Sequence, residues 1–165
     1  NGFVFDPARG GFTAENEDGE SHRQGLEVSG RWAINPALAL YLAYTWLDAT
    51  EDSSTGQVRE IRRPKHIANA NLNWQFADDR GNLNLNADYN GAQDDFFFPP
   101  VPPFQERIEL DDFILVTLAA NYRIASGLEL FARLENALDE EYEEVHGFRT
   151  PWRSVFAGAR YTFEN

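Results

Sequence analysis

The stretch ANANLNWQF, residues 68–76, alternates without a break. Ala68, Ala70, Leu72, Trp74 and Phe76 fall on one side, and Asn69, Asn71, Asn73 and Gln75 on the other. Successive side chains of a β-strand point to opposite faces, so the segment reads as a strand with one apolar face and one amide face. The fold turns on which face meets water and what the other one meets.

The same period of two recurs along the chain, while helical periodicity is nearly absent. Leu26, Val28, Gly30 and Trp32 share a face, as do Leu38, Leu40, Leu42, Tyr44 and Trp46. Leu83, Leu85, Ala87 and Tyr89 oppose Asn84, Asn86, Asp88 and Asn90. Ile114 to Tyr122, Leu128 to Leu134 and Val155 to Phe163 repeat the pattern. This predicts seven strands, with residues 3–6 as the stub of an eighth. A quarter of the chain is charged, yet none of the seven apolar faces holds a charged residue.

The connections alternate too. Short ones at 33–37 (AINPA), 77–82 (ADDRGN) and 124–127 (IASG) carry the Pro, Gly and Asn suited to tight turns. Long ones run over about 7–24, 47–66, 90–113 and 139–154. An antiparallel meander follows, smooth at one end and elaborate at the other.

Composition narrows the function. The chain has 165 residues, 42% of them hydrophobic, which suffices for one domain and argues against disorder. Its formal charge is −13, and its basic residues cluster only at Arg62, Arg63 and Lys65, so nucleic acid is not an expected partner. Without cysteine there is neither a disulfide framework nor a thiolate metal site. No apolar run reaches 18 residues, so no transmembrane helix is predicted. A chain opening NGFVFDP, without Met, reads as a piece of a longer protein.

Alternation alone suits a soluble sandwich or lipocalin-like barrel with the apolar face inside. Aromatic placement points elsewhere. Trp32, Trp74, Phe76, Tyr122, Tyr161 and Phe163 lie where their strands approach the tight-turn end or the C-terminus. Tyr44, Trp46 and Tyr89 lie toward the long-loop end, with Leu, Ala and Val between. Two aromatic girdles around an aliphatic band mark an outer-membrane barrel. Residues 38–46 and 68–76 are each nine long, near the ~9–11 that a tilted strand needs to cross hydrocarbon. Unpaired amides in hydrocarbon would each be unfavourable by several kcal/mol, so the Asn/Gln face is expected to line a polar lumen and the Leu/Ala/Trp face to meet lipid.

The C-terminal third is more specific. LENALDEEYEEVHGFRTPWRSVFAGARYTF, residues 134–163, resembles the closing segment of TonB-dependent outer-membrane receptors, through Asn136, Asp139, Tyr142, Gly147, Phe148, Pro151, Arg153 and Phe163. HRQGLEVSG (22–30), YTWLDAT (44–50) and IRRPKHIANANLNW (61–74) resemble upstream signatures of the same family, in the right order. Among its branches the cobalamin-receptor type is nearest. Trp152 stands where the family has Gly, Ala137-Leu138 stand for Leu-Phe, and Glu164-Asn165 follow the Phe that usually ends the chain.

The resemblance implies an all-β, up-and-down transmembrane barrel segment of about seven to eight strands from a roughly 22-stranded, plugged barrel. Residues 1–165 would be its C-terminal part, without the plug. It implies a TonB-energised importer of a scarce large nutrient, cobalamin or a ferric siderophore. TonB would act through a plug and TonB box further upstream. Implied partners are outer-membrane lipid and lipopolysaccharide, and the barrel-assembly machinery at the C-terminal strand. The implied setting is a Gram-negative outer membrane, with long loops outside and turns in the periplasm. A complete eight-stranded outer-membrane barrel, structural or adhesin-like, and a soluble lipocalin-like binder are the alternatives.

Candidate site residues follow. Arg62 and Arg63 sit where a long loop meets the mouth, as charge anchors or ligand contacts; the family likeness favours Arg62 for a contact. Phe96, Phe97, Phe98 and Phe104, in FFFPPVPPF, either pack on one another or grip a substrate on a loop stiffened by prolines. The acidic runs 15–20, 48–54 and 138–144 read as solvated loops, with a Ca²⁺ site a lesser reading. His22, His66 and His146 lack metal-ligand spacing, and His66 reads as a loop-to-strand boundary. No catalytic motif and no cofactor signature is present, so an enzyme is not expected.

Overall fold

The computed structural model describes residues 2–6, 10–15, 20–53 and 56–163. The described residues form strands and no helix: β1 (Gly2–Asp6), β2 (Gly11–Glu15), β3 (Ser21–Asn35), β4 (Leu38–Ser53), β5 (Gly56–Arg59), β6 (His66–Phe76), β7 (Gly81–Asn90), β8 (Gln93–Phe97), β9 (Glu106–Leu110), β10 (Phe113–Ala125), β11 (Leu128–Glu135) and β12 (Ser154–Tyr161). The main sheet has the order β12-β11-β10-β7-β6-β4-β3, antiparallel throughout, with β5 pairing the far end of β4. This is the predicted seven-strand meander. Its edges, β3 and β12, do not pair with each other, so the sheet is a stretch of wall rather than a closed eight-stranded barrel.

Register carries the alternation across the wall. One row aligns Val28, Tyr44, Ala68, Tyr89 and Ile114, and the next aligns Gly30, Leu42, Ala70, Ala87 and Val116. A third aligns Trp32, Leu40, Leu72, Leu85, Leu118, Leu134 and Val155. Nearer the tight turns, Leu38, Trp74, Leu83 and Ala120 share a row, then Phe76, Gly81 and Tyr122. Aromatics therefore flank an aliphatic belt on β4, β6, β7 and β10.

The apolar face is uncovered. Leu26 is 57% exposed, Leu42 51% and Val155 72%, and the buried hydrophobics among the described residues are only Ala49, Leu110 and Phe113. A soluble lipocalin-like domain would hide this face in its core; here it lies open, an apolar surface of the kind that requires a partner or a membrane.

The amide face is cross-linked. Asn69, Asn71 and Asn73 on β6 bond to Asn82, Asn84, Asn86 and Asp88 on β7 in a zigzag, at 2.6–3.2 Å for the Asn69, Asn71 and Asn73 donors. Asn82 and Asn84 donate back to Asn73 and Asn71 at 3.1 and 2.9 Å, and Asn86 donates to Asp88. The bonds between β6 and β7 use the same-face, cross-strand neighbours that a pleated sheet brings together, and the Asn86–Asp88 bond joins same-face neighbours along β7.

Three expectations change. Residues 3–6 fall in β1, which pairs with β2 in a separate hairpin instead of joining the wall. The connection 47–66 is not a loop along its whole length. β4 continues to Ser53 and folds back through β5, so residues 48–53 of the acidic run are strand. Backbone pairing to β3 and β5 satisfies this polar extension, which is why its composition does not prevent it. The 90–113 connection likewise contains the β8–β9 hairpin. Of the 15–20 run, residues 16–19 lie outside the described residues, as do Glu164 and Asn165.

Candidate ligand site at the long-connection end

The long connections meet at one carboxylate. Asp95, on β8, has no exposed surface. Its Oδ1 accepts Arg62 Nε at 2.9 Å, the second guanidinium nitrogen at 2.8 Å and the Phe96 amide at 2.8 Å. Its Oδ2 accepts the His146 amide at 2.7 Å. Burial pushes the Asp95 carboxyl up, but the His146 amide, the Arg62 guanidinium and the Phe96 amide together outweigh it and hold it below the ordinary aspartate value. Neighbouring ties reinforce the junction. The Arg62 amide donates to Asp94 O at 2.8 Å, and the buried Gln93 donates to Glu144 O at 3.0 Å.

Two further acids organise the surroundings. Glu60 is buried and accepts from Arg23 at 2.9 and 3.0 Å and from Ser21, with Arg63 at 3.6 Å. Hydrogen bonds from Arg23 and then Ser21 lower its pKa despite burial. Asp94 takes Arg107 at 2.8 Å and Arg59 at 3.7 Å, and Arg107 also reaches Arg59 O at 2.6 Å. These pairs tie β3, β5, β8 and β9 into one polar base.

Above that base stand aromatic side chains. Phe96 and Phe98 lie 6.2 Å apart, with the Arg107 guanidinium 5.4 Å from the Phe96 ring. Phe97 meets His146 edge-on at 5.2 Å. Phe98 and Phe104 are 65% and 60% exposed. Within FFFPPVPPF, Phe96 packs against Phe98 and Arg107 and Phe97 against His146, while Phe97, Phe98 and Phe104 remain exposed. A cleft of about 710 Å³ opens beside them, bounded by Leu110, Asp112, Tyr142, His146, Arg149 and Trp152.

The motif residues of the last connection form a clasp. Asn136 is buried; its side chain donates to Glu140 O at 2.9 Å and Pro151 O at 3.3 Å and accepts the Glu140 amide at 2.9 Å. Asp139 accepts the Arg153 amide at 3.1 Å. Tyr142 packs on Phe113 at 4.5 Å, and burial, then the nearby Glu144 charge, raises its hydroxyl pKa. The run 138–144 is thus a folded segment rather than a simple solvated loop. Gly147, with φ of 77°, fills a turn that favours glycine.

Sequence reasoning placed Arg62 and Arg63 at the mouth but missed the acids that hold them. Asp95 and Glu60 looked like members of a large acidic excess; no local spacing separates them from the solvated carboxylates. His66 begins β6 as expected, and its Nδ1 lies 2.7 Å from the Tyr44 hydroxyl. Among the described residues, no group of three or more His, Cys, Asp or Glu is arranged to hold a metal ion.

An open antiparallel wall, apolar on one face and amide-lined on the other, with ordered connections gathered at one end, defines a segment of a large β-barrel. A family model described as "TonB dependent receptor-like, beta-barrel" matches residues 1–137. The chain belongs to that family. It is 27% identical over 149 residues to the vitamin B12 transporter BtuB of Vibrio cholerae serotype O1, covering 90% of this chain and 23% of that protein. The ferripyoverdine receptor FpvA of P. aeruginosa superposes with a TM-score of 0.75 at 19% identity, covering 94% of this chain and 21% of FpvA. The ferric-catecholate import receptor Fiu of E. coli K12 superposes at 0.70 with 18% identity, covering 98% and 23%. The chain spans about a quarter of the length of the curated relative.

Proposed function

We propose that the whole protein is a TonB-energised outer-membrane importer of cobalamin or a ferric siderophore, with this chain as its C-terminal wall, lumen lining and part of its capture surface. The observation that carries the reading is the back-to-back pairing of an exposed apolar face with a hydrogen-bonded amide face on a wall of this family. Hydrocarbon accepts the first and excludes the second.

In this reading Trp32, Trp74, Phe76, Tyr122, Tyr161 and Phe163 rest at the periplasmic boundary of the bilayer. Tyr44, Trp46 and Tyr89 rest at the outer boundary, beside lipopolysaccharide. Asn69, Asn71, Asn73 and Gln75 line the lumen. The long connections face outward and present Arg62, Arg63, Phe96, Phe97, Phe98 and Phe104 to the ligand, the exposed rings supplying contact area at little entropic loss. The C-terminal strand is the segment offered to the barrel-assembly machinery. The plug and TonB box belong to the upstream part, through which TonB draws the plug to release the ligand. The reading involves no enzymatic step and no cofactor.

The test is binding and uptake by the full-length receptor. Cyanocobalamin and a set of ferric siderophores are titrated against the purified protein, and uptake is followed in cells with and without TonB. Saturable binding of one probe with TonB-dependent uptake is expected. Binding of none, or uptake indifferent to TonB, would overturn the proposal.

A further inference from the structure

We infer that Asp95 is a positioning residue that locks the 47–66, 90–113 and 139–154 connections into one ligand-facing surface. The inference deepens the receptor reading and rests on it for its functional consequence. Two of the groups on the Asp95 carboxylate come from other connections: Arg62 is 33 residues away and His146 is 51. Both oxygens are engaged, and every partner is a donor.

That pattern demands a carboxylate. An ionised carboxyl only accepts, whereas an amide presents a donor on one side. An Asn at this position would set its NH₂ against either the His146 amide or the Arg62 guanidinium. With no solvent at Asp95, water cannot take the place of the lost bond. Loss of the lock frees two things at once. His146 carries the ring on which Phe97 packs and borders the cleft beside Tyr142 and Trp152. Arg62 adopts a left-handed backbone, φ 55°, which a non-glycine residue holds only when its surroundings fix it. Arg62 thus has a second role besides any ligand contact: it is the cationic half of the lock.

A simpler role, stabilising the β8–β9 hairpin alone, makes a different prediction. Asp95→Asn and Arg62→Gln are made in the full-length receptor, with Asp78→Asn in a remote tight turn as control. Amide hydrogen exchange is measured over 60–64, 94–98 and 144–148, with Asn69–Gln75 as reference. The lock predicts exchange at least tenfold faster in all three segments for both variants, with the reference and the control unchanged. Acceleration confined to 94–98, or none, would overturn it. In parallel, cyanocobalamin and ferric siderophores are titrated. For whichever probe the wild type binds, the dissociation constant is expected to rise tenfold or more with unchanged site number. Unchanged affinity would remove Asp95 from the positioning role. If the wild type binds no probe, the receptor reading fails and the exchange result alone decides the lock. Arg62→Gln covers the case in which Asp95→Asn does not assemble, because it opens the lock from the solvent-facing side.

Discussion

Asn71 and Asn84 exchange hydrogen bonds: each amide nitrogen donates to the other's oxygen, at 3.1 and 2.9 Å. Asn73 and Asn82 do the same at 3.2 and 3.1 Å. These reciprocal pairs turn the polar face of β6 and β7 into a continuous ladder, with Asn69 and Asp88 joining it toward the long connections. The ladder binds two strands together without a buried charge and without an apolar core.

Replacing Asn71 by Leu removes three of these bonds, its two donations and the one it accepts from Asn84. Each is worth about 0.5–1.5 kcal/mol net in a setting open to water. A loss of about 1.5–4.5 kcal/mol is expected, read as a lower urea midpoint for the refolded full-length receptor. An unchanged midpoint would show that water replaces the ladder without penalty.

The two faces are predicted to respond oppositely to charge. Leu85 lies in the aliphatic row with Leu72 and Leu118. An arginine there is expected to destabilise the assembled receptor by about 2–4 kcal/mol, as near the middle of a bilayer. Thr117→Arg, level with Asn86 on the polar face but outside the ladder, is expected to fall within about 0.5 kcal/mol, the usual range for a solvated site. Refolding into lipid vesicles compares the two, and equal effects would contradict the assignment of faces.

The lock carries a pH dependence. Asp95 has its folded pKa held below the ordinary value of about 3.8. A depressed carboxylate contributes stability that is present above its unfolded pKa and lost as pH falls through the folded one. The charged and titratable groups around it are Arg62, from the 47–66 connection, and His146, whose ring turns toward Glu143 at 3.2 Å. Spin labels at Gln105 and Glu141 are therefore expected to keep a narrow distance distribution from pH 7 down to about 4. The distribution broadens below that. Broadening already near pH 6 would show that protonation of Asp95 is not what opens the lock.

Asn136 tests the clasp of the last connection. Asn136→Ala leaves the Glu140 amide and the Glu140 and Pro151 carbonyls without their side-chain partner. Buried groups left unpaired are unfavourable by about 1–3 kcal/mol. Protease cleavage within 138–150 of the full-length receptor is expected to accelerate by tenfold or more while the barrel stays intact. Unchanged cleavage would show that Asp139 and Tyr142 hold the segment without it.

Much of the wall was readable because its information is local. A period of two along ANANLNWQF decides which residues share a face, and β6 adds only His66 and Ile67 to the stretch. The tight turns were legible for the same reason. The acidic run at 48–53 was misread because composition speaks for solvent exposure, whereas pairing with β3 and β5 makes it strand. Residues 3–6 read as the stub of an eighth wall strand, but their partner is β2. A strand's pattern does not name its neighbour.

The sequence by itself determined two faces, seven wall strands, one smooth and one elaborate end, and the family. Tertiary structure alone decided which acids matter. Asp95 and Glu60 are two carboxylates among 27; the meeting of three long connections takes Asp95 out of water, and Ser21 and Arg23 of β3 supply the donors to buried Glu60. Face alternation is written in neighbouring residues, whereas a buried ion pair between positions 33 apart depends on where two folded segments come to rest.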